Sequence, residues 1–182
     1  NGMGDVNSRA CYSEAVNYAM SEGLMNGVSS TRFDPTGDLS RGMLCQILYN
    51  LEGKPAVAGT ADFTDVPDGK WYTDAVKLAT VNGIVKGYGN GKFGPNDNIT
   101  REQLAVMLYN YEKLVKGGGF SGDWEFLLDF ADADKVSSWA DEAVKWCVAN
   151  GVINGKGGDK LDPQGKASRA EVAQMFMNYL KG

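Results

Sequence analysis

Three arginines recur at one register of a repeated pattern: Leu39-Ser40-Arg41-Gly42-Met43, Ile99-Thr100-Arg101-Glu102-Gln103 and Ala167-Ser168-Arg169-Ala170-Glu171. Behind them the apolar residues fall at i, i+3, i+4 and i+7: Leu44, Ile47, Leu48, Leu51; then Leu104, Met107, Leu108, Tyr111; then Val172, Met175, Phe176, Tyr179. That spacing predicts an amphipathic helix after each arginine. Thr100 with Gln103, and Ser168 with Glu171, form capping boxes in which hydroxyl and N3 side chain exchange bonds with early backbone N–H groups; Met43 breaks the box behind Ser40. Capping leaves the arginines unexplained. A cation at the first helical position opposes the helix dipole, at about 0.3–1 kcal/mol when exposed. Two chemistries stay open. Each arginine pairs with an acid of a neighbouring repeat, or each meets an external anion, which free N–H groups at a helix start favour and a guanidinium binds in bidentate fashion when it is a carboxylate.

The elements that must position these residues also repeat. Met3 onward aligns with Phe63 onward, and Ala75 onward with Ala143 onward, giving units of roughly 50 residues of the kind that stack to share a core. Each unit opens with an aspartate (Asp5, Asp65, Asp132), expected to satisfy backbone N–H groups near the opening turn. A first helix follows, with apolar faces Tyr72, Ala75, Val76, Ala79 and Ala140, Ala143, Val144, Cys147 in the second and third units, ending at Gly23, Gly83 or Gly151. An apolar step then leads to a second glycine (Gly27, Gly87, Gly155). A turn-rich loop carrying Phe33-Asp-Pro35, Phe93-Gly-Pro95 or Leu161-Asp-Pro163 brings the chain to the arginine-headed helix. The apolar residue opening each tripeptide is expected to plug the core. The units run 1–53, 63–115 and 130–182, joined by a small-residue linker at 54–62 and by 116–129. The apolar Asp123–Leu128 stretch of the second joint, with Trp124, is expected to pack across a repeat boundary.

The 182 residues are 43% hydrophobic and 23% charged, with a net charge of −5. No basic run provides a nucleic-acid footprint, and no apolar run approaches the roughly 20 residues that span a bilayer. No signal peptide is visible at Asn1, which fits a mature chain, a fragment or a cytosolic protein. Histidine is absent, which removes histidine-based triads and most zinc sites. The three cysteines, Cys11, Cys45 and Cys147, are scattered and odd in number and read as buried small hydrophobes, not as a disulfide or metal cluster. No cofactor or metal is expected. Gly87-Tyr88-Gly89-Asn90-Gly91 is not a phosphate-binding loop, because no strand precedes it and the other units lack it. Asp34–Asp38 and Asn96–Asn98 fail the calcium-loop spacing. Trp71 and Trp139, at the heads of first helices, suit core packing better than a role on the surface.

Together these residues resemble three tandem S-layer homology (SLH) domains. The second unit carries the ordered set Phe63, Asp65, Trp71, Ala75, Gly83, Gly87, Phe93, Pro95 and Thr100–Gln103. The third carries Phe130, Asp132, Trp139, Ala143, Gly151, Gly155, Pro163 and Ser168–Glu171. The first departs most, with Met3 for Phe, Cys11 for Trp and Gly42-Met43 in the last motif. The resemblance implies a mainly α fold: three helix-loop-helix repeats arranged as a three-pronged pseudo-trimer around a central helical bundle. It also implies a non-catalytic module outside the cell, at the wall or S-layer surface. Such a module holds a surface protein to bacterial secondary cell-wall polysaccharide, often through a pyruvate ketal on an amino sugar, whose carboxylate is the external anion the arginines could meet. Ligand contacts are then expected in grooves between repeats from Arg41, Arg101 and Arg169, with Ser40, Thr100, Ser168, Gln103 and Glu171 at the helix starts. Gly27, Gly87 and Gly155 would let backbone approach the sugar. The competing readings are a protein–protein scaffold taking a peptide in the same grooves, and a glycosidase. The second lacks an acidic pair recurring at a consistent register.

Overall fold

The computed structural model describes residues 3–118, 128–156 and 159–182. Among these residues the chain forms six α-helices: α1 (Ser13–Ser21), α2 (Arg41–Leu51), α3 (Thr73–Val81), α4 (Arg101–Leu114), α5 (Asp141–Ala149) and α6 (Arg169–Lys181). Isolated bridges, but no strands, occur among the described residues, so the fold is mainly α as the resemblance implies. The first helices α1, α3 and α5 end as the sequence predicts, with Gly23, Gly83 and Gly151 in the left-handed region at φ 70°, 73° and 70°. The second helices α2, α4 and α6 start at the arginines, and Ser40, Thr100 and Ser168 accept from the N3 backbone N–H at 3.1, 3.2 and 3.1 Å.

Packing does not follow the repeats as the sequence delimits them. Each first helix lies on the second helix of the preceding unit: α3 on α2, α5 on α4, and α1 on α6. The third pair joins the two ends of the chain and closes a ring. Loops close the same ring. Leu39 N–H donates to Ala167, Ala167 N–H to Ile99, and Ile99 N–H to Leu39, at 2.9, 3.1 and 2.9 Å. All three residues are fully buried. The second helices are tied as well: Tyr111 donates its hydroxyl to Glu52, Tyr179 to Glu112, and the two rings lie 6.5 Å apart edge to face. One continuous apolar core runs through all three units.

The loop residues Phe33, Phe93 and Leu161 plug this core, at 0%, 0% and 3% exposure. Each plug is held by the aspartate that opens its own unit. Asp5 accepts from the N–H of Phe33 and Asp34 at 2.8 and 2.7 Å, Asp65 from Phe93 and Gly94 at 2.9 and 2.8 Å, and Asp132 from Leu161 and Asp162 at 2.8 Å each. The residue after the plug adopts positive φ every time (Asp34 60°, Gly94 73°, Asp162 49°), which turns two successive N–H groups toward one carboxylate. The Phe33 bond leads in pulling the Asp5 carboxyl below its ordinary pKa. At Asp65 and Asp132 desolvation is the largest single influence and pushes upward, but the paired backbone bonds together outweigh it and the net shift is down.

Leu128 and Val115 pack against the core, while Trp124 and most of the second joint lie outside the described residues. Two expectations are corrected. Cys45 and Cys147 are buried, with desolvation raising the Cys45 thiol to about 12 and the Cys147 thiol further, but Cys11 is exposed because its small side chain occupies a place on the rim where Trp71 stands in the next unit. Trp71 and Trp139 are 57% and 59% exposed and are not core residues.

Candidate functional site

The arginines do their first work inside the protein. Arg41 Nε donates to the Phe93 carbonyl at 3.0 Å, Arg101 Nε to Leu161 at 2.7 Å, and Arg169 Nε to Phe33 at 2.8 Å. Each therefore reaches the plug of the following unit, with Arg169 closing back on the first. Nη2 of Arg41 adds Lys86 O at 3.2 Å, and Nη2 of Arg169 adds Asn26 O at 2.6 Å. The guanidinium carbon sits 4.6 Å from the Phe93 ring centre for Arg41 and 4.7 Å from that of Phe33 for Arg169, within cation–π range. The three residues are only 5–7% exposed. One plug peptide thus joins an aspartate of its own unit, through its N–H, to an arginine of the preceding unit, through its C=O.

Inside the protein, this geometry gives the cation at each helix start partners that the sequence did not point to. Among the described residues the partners are chiefly backbone carbonyls, with one acid: Arg101 Nη1 bonds Glu171. The first free N–H groups of these helices are also taken. Arg41 and Gly42 donate to Asp97 and Pro95, Arg101 and Glu102 to Gly165 and Pro163, and Arg169 and Ala170 to Gly37 and Pro35, all at 2.8–3.0 Å. With N3 bonded to the cap hydroxyl, these helix starts hold carbonyls where an anion was expected. The capping boxes also differ from expectation. Gln103 completes its box by accepting from Thr100 N–H at 3.0 Å, whereas Glu171 turns away from Ser168 to meet Arg101.

Above these seams lie open grooves built on one plan: the apolar step and second helix of one unit, the head of the next unit's first helix, and the arginine of the preceding unit. The groove of the third unit holds about 470 Å³ and is lined by Val152–Lys156, by Ser168, Glu171, Gln174 and Asn178 of α6 and its cap, by Cys11 and Tyr12, and by Arg101. The groove of the first unit holds about 240 Å³ between Leu24–Gly27 and Met43, Gln46 and Asn50 of α2, with Trp71 and Arg169 completing it. The sequence candidates thus divide. Arg101, Ser168, Glu171 and Gly155 meet in one groove, and Arg169 and Gly27 in another. Arg41 lies in the seam next to Lys86, while Ser40, Thr100 and Gln103 act as caps.

The second glycines have a packing reason of their own. A Cβ on Gly27 would lie 2.5 Å from Met3 Cε and 2.7 Å from Arg32 O, and one on Gly155 2.8 Å from the Phe130 ring. Gly87 faces Phe63 and Lys92 O in the same way. Sequence reasoning passed over two groups. Asn50, Asn110 and Asn178 recur at one register and donate to the step carbonyls of Leu24, Ile84 and Val152 at 3.0, 3.1 and 3.3 Å, fixing the groove floor; the repeat alignment carried that signal. Glu102 is 4% exposed and accepts from Ser137 N–H and Oγ at 2.9 and 2.8 Å. It stands where the other units have Gly42 and Ala170, so periodicity could not reveal it.

The S-layer homology domain model matches residues 3–42, 62–105 and 129–173. The surface-layer 125 kDa protein of Lysinibacillus sphaericus is 32% identical over 98% of this chain and 15% of its own length. An S-layer protein of Bacillus thuringiensis subsp. finitimus is 31% identical over 90% of the chain and 19% of its own. The cellulosome-anchoring protein of Acetivibrio thermocellus is 26% identical over 87% of the chain and 35% of its own. The chain therefore spans only 15–35% of the length of these relatives. With three matches covering most of its residues in the register of the structural repeats, this chain belongs to the S-layer homology family as three tandem repeats of its domain.

Proposed function

We propose that the chain is a non-catalytic anchoring module that binds bacterial secondary cell-wall polysaccharide in its inter-repeat grooves and so holds a larger protein at the cell surface. The observation that carries this reading is the make-up of the grooves. Each combines side-chain amides and a guanidinium with an aromatic ring at the rim: Asn154, Gln174, Asn178, Arg101 and Tyr12 in one, and Asn26, Gln46, Asn50, Arg169 and Trp71 in the other. Amides and charged donors match sugar hydroxyls and carboxylates, and an exposed aromatic face suits the apolar side of a sugar ring. Membership of a family found in S-layer and cellulosome-anchoring proteins supports the same location and role. The ring of bonds joining the units supports the threefold arrangement that the family resemblance implies. A pyruvate ketal carboxylate would meet the guanidinium edge of Arg169 that faces the first-unit groove. Net charge −5 disfavours an acidic polymer only at long range, since charges are screened over about 8 Å at physiological salt. The test is sedimentation with purified wall sacculi before and after chemical removal of the secondary polymer. Binding lost with the polymer supports the reading; binding retained points to a protein or peptidoglycan partner.

A further inference from the structure

The two grooves described above share a plan, and two of the differences between them bear on what each can hold. At the end formed by the next first helix, the first-unit groove has Trp71, whose indole meets Tyr72 edge to face at 5.1 Å. At the matching place the third-unit groove has Cys11, exposed and several atoms smaller, with Tyr12, Pro35 and Thr36 continuing the wall beyond it. The grooves hold about 470 and 240 Å³ respectively. Small-molecule clefts typically hold about 300–1,000 Å³, and the larger groove lies within that range while the smaller lies just below it. The second difference is at N3. Met43 places a thioether 3.9 Å from Arg169, whereas Glu171 is an acid bonded to Arg101 and 30% exposed at its side chain. The larger groove therefore adds a carboxylate to the amides that both grooves carry.

Resting on the wall-polysaccharide reading, we infer that the third-unit groove seats two consecutive sugar rings of the polymer, while the first-unit groove, walled by Trp71, seats one. Cys11 in place of tryptophan is the residue that sets this difference, by leaving the groove open at one end.

The test uses one-ring and two-ring fragments, released from secondary wall polymer by mild acid hydrolysis and separated by size, titrated into the full chain. Side-chain amide NMR signals of Asn154, Gln174 and Asn178 report the third-unit groove; those of Asn26, Gln46 and Asn50 report the first. The two-ring fragment should bind the third-unit groove about tenfold tighter than the one-ring fragment, the ratio that ~1.4 kcal/mol of added contact gives, and the first-unit groove equally well in both forms. Cys11→Trp should remove the gain in the third-unit groove alone, and Trp71→Cys should confer it on the first. Alkylating Cys11 of the folded wild type with N-ethylmaleimide repeats the closure without a substitution that must fold. Equal gains in both grooves, or a gain that survives both Cys11→Trp and alkylation, would overturn the inference and leave the wall-binding reading standing. No shift in either groove with either fragment would overturn the wall-binding reading itself.

Discussion

Replacing Arg169 by methionine separates the two roles an arginine at a helix start could have. Were it a solvent-facing cation waiting for ligand, removing it would relieve the dipole penalty and stabilise the fold by about 0.3–1 kcal/mol. In the structure it is 7% exposed and donates to Phe33 O and Asn26 O at 2.8 and 2.6 Å, with its guanidinium over the Phe33 ring. Methionine keeps much of the apolar length but leaves both carbonyls without donors. Phe33 is fully buried, so its carbonyl loses about 1–3 kcal/mol. Asn26 lines the open groove, where water replaces part of the bond. The lost cation–π contact adds roughly 0.5–2 kcal/mol. Against these stand the dipole relief and the regained desolvation of the cation, whose pKa burial already pulls below its ordinary value while Asp34 and Asp5 oppose that shift. The net expectation is a loss of about 2–4 kcal/mol, a melting temperature lower by roughly 5–15 °C for a chain of this size. Arg169→Lys, which keeps the charge but not the planar fork, should fall between. Calorimetric melting and urea titration measure both. A methionine variant that melts with the wild type, or above it, would refute the claim that these arginines hold the ring together.

The depressed pKa values of Asp5, Asp65 and Asp132 make the fold acid-sensitive in a defined direction: their contribution is whole above the unfolded carboxylate pKa of about 4 and is lost as pH falls through the lower folded values. Asp132→Asn should cost about 1–3 kcal/mol at pH 7, since its amide NH2 must face Leu161 or Asp162 N–H, and the difference from wild type should shrink in urea titrations run progressively below pH 4. In the folded chain a thiol reagent should modify Cys11 alone, with Cys45 and Cys147 reacting only on denaturation; mass spectrometry of the labelled peptides decides it. Gly87→Ala should destabilise by about 1–3 kcal/mol in urea, because its Cβ would strike the Phe63 ring and lie 2.8 Å from Lys92 O.

Much of this fold is legible in the sequence because it is written three times. Helix starts at Ser40, Thr100 and Ser168, helix ends at Gly23, Gly83 and Gly151, and the plugs Phe33, Phe93 and Leu161 all follow from local chemistry repeated in register. What periodicity could not supply is which unit a side chain reaches. The arginine register is local, but its partner lies 52 residues onward in one seam, 60 in the next and 136 back in the third. Charge complementarity pointed toward acids or an external anion, and the internal acceptors are chiefly carbonyls, which every residue possesses and no sequence marks. Trp71 and Trp139 misled for a related reason. A large aromatic at the head of a helix suits a core, yet both are exposed where the first helix packs on the preceding unit, and Trp71 stands at a groove.

The same bonds that stabilise the ring also compose the grooves, and this ties function to the number of repeats. Each groove takes its floor from one unit, its end wall from the next and its guanidinium from the one before. Two units could supply a floor and a wall, but the arginine that reaches the plug would be missing from one seam. A third unit provides it and, by placing α1 on α6, also covers the apolar face each terminal helix would otherwise expose. Because the units are joined in a ring, one can drift in sequence while its neighbours still complete its groove. The first unit has Cys11 where the others have tryptophan and Met43 at N3, yet Arg169 and Trp71 from the other two still build its groove, and its own Cys11 lines the groove of the third. Divergence within one repeat is thus read out in the pocket of another, so three similar units form grooves that differ from one another.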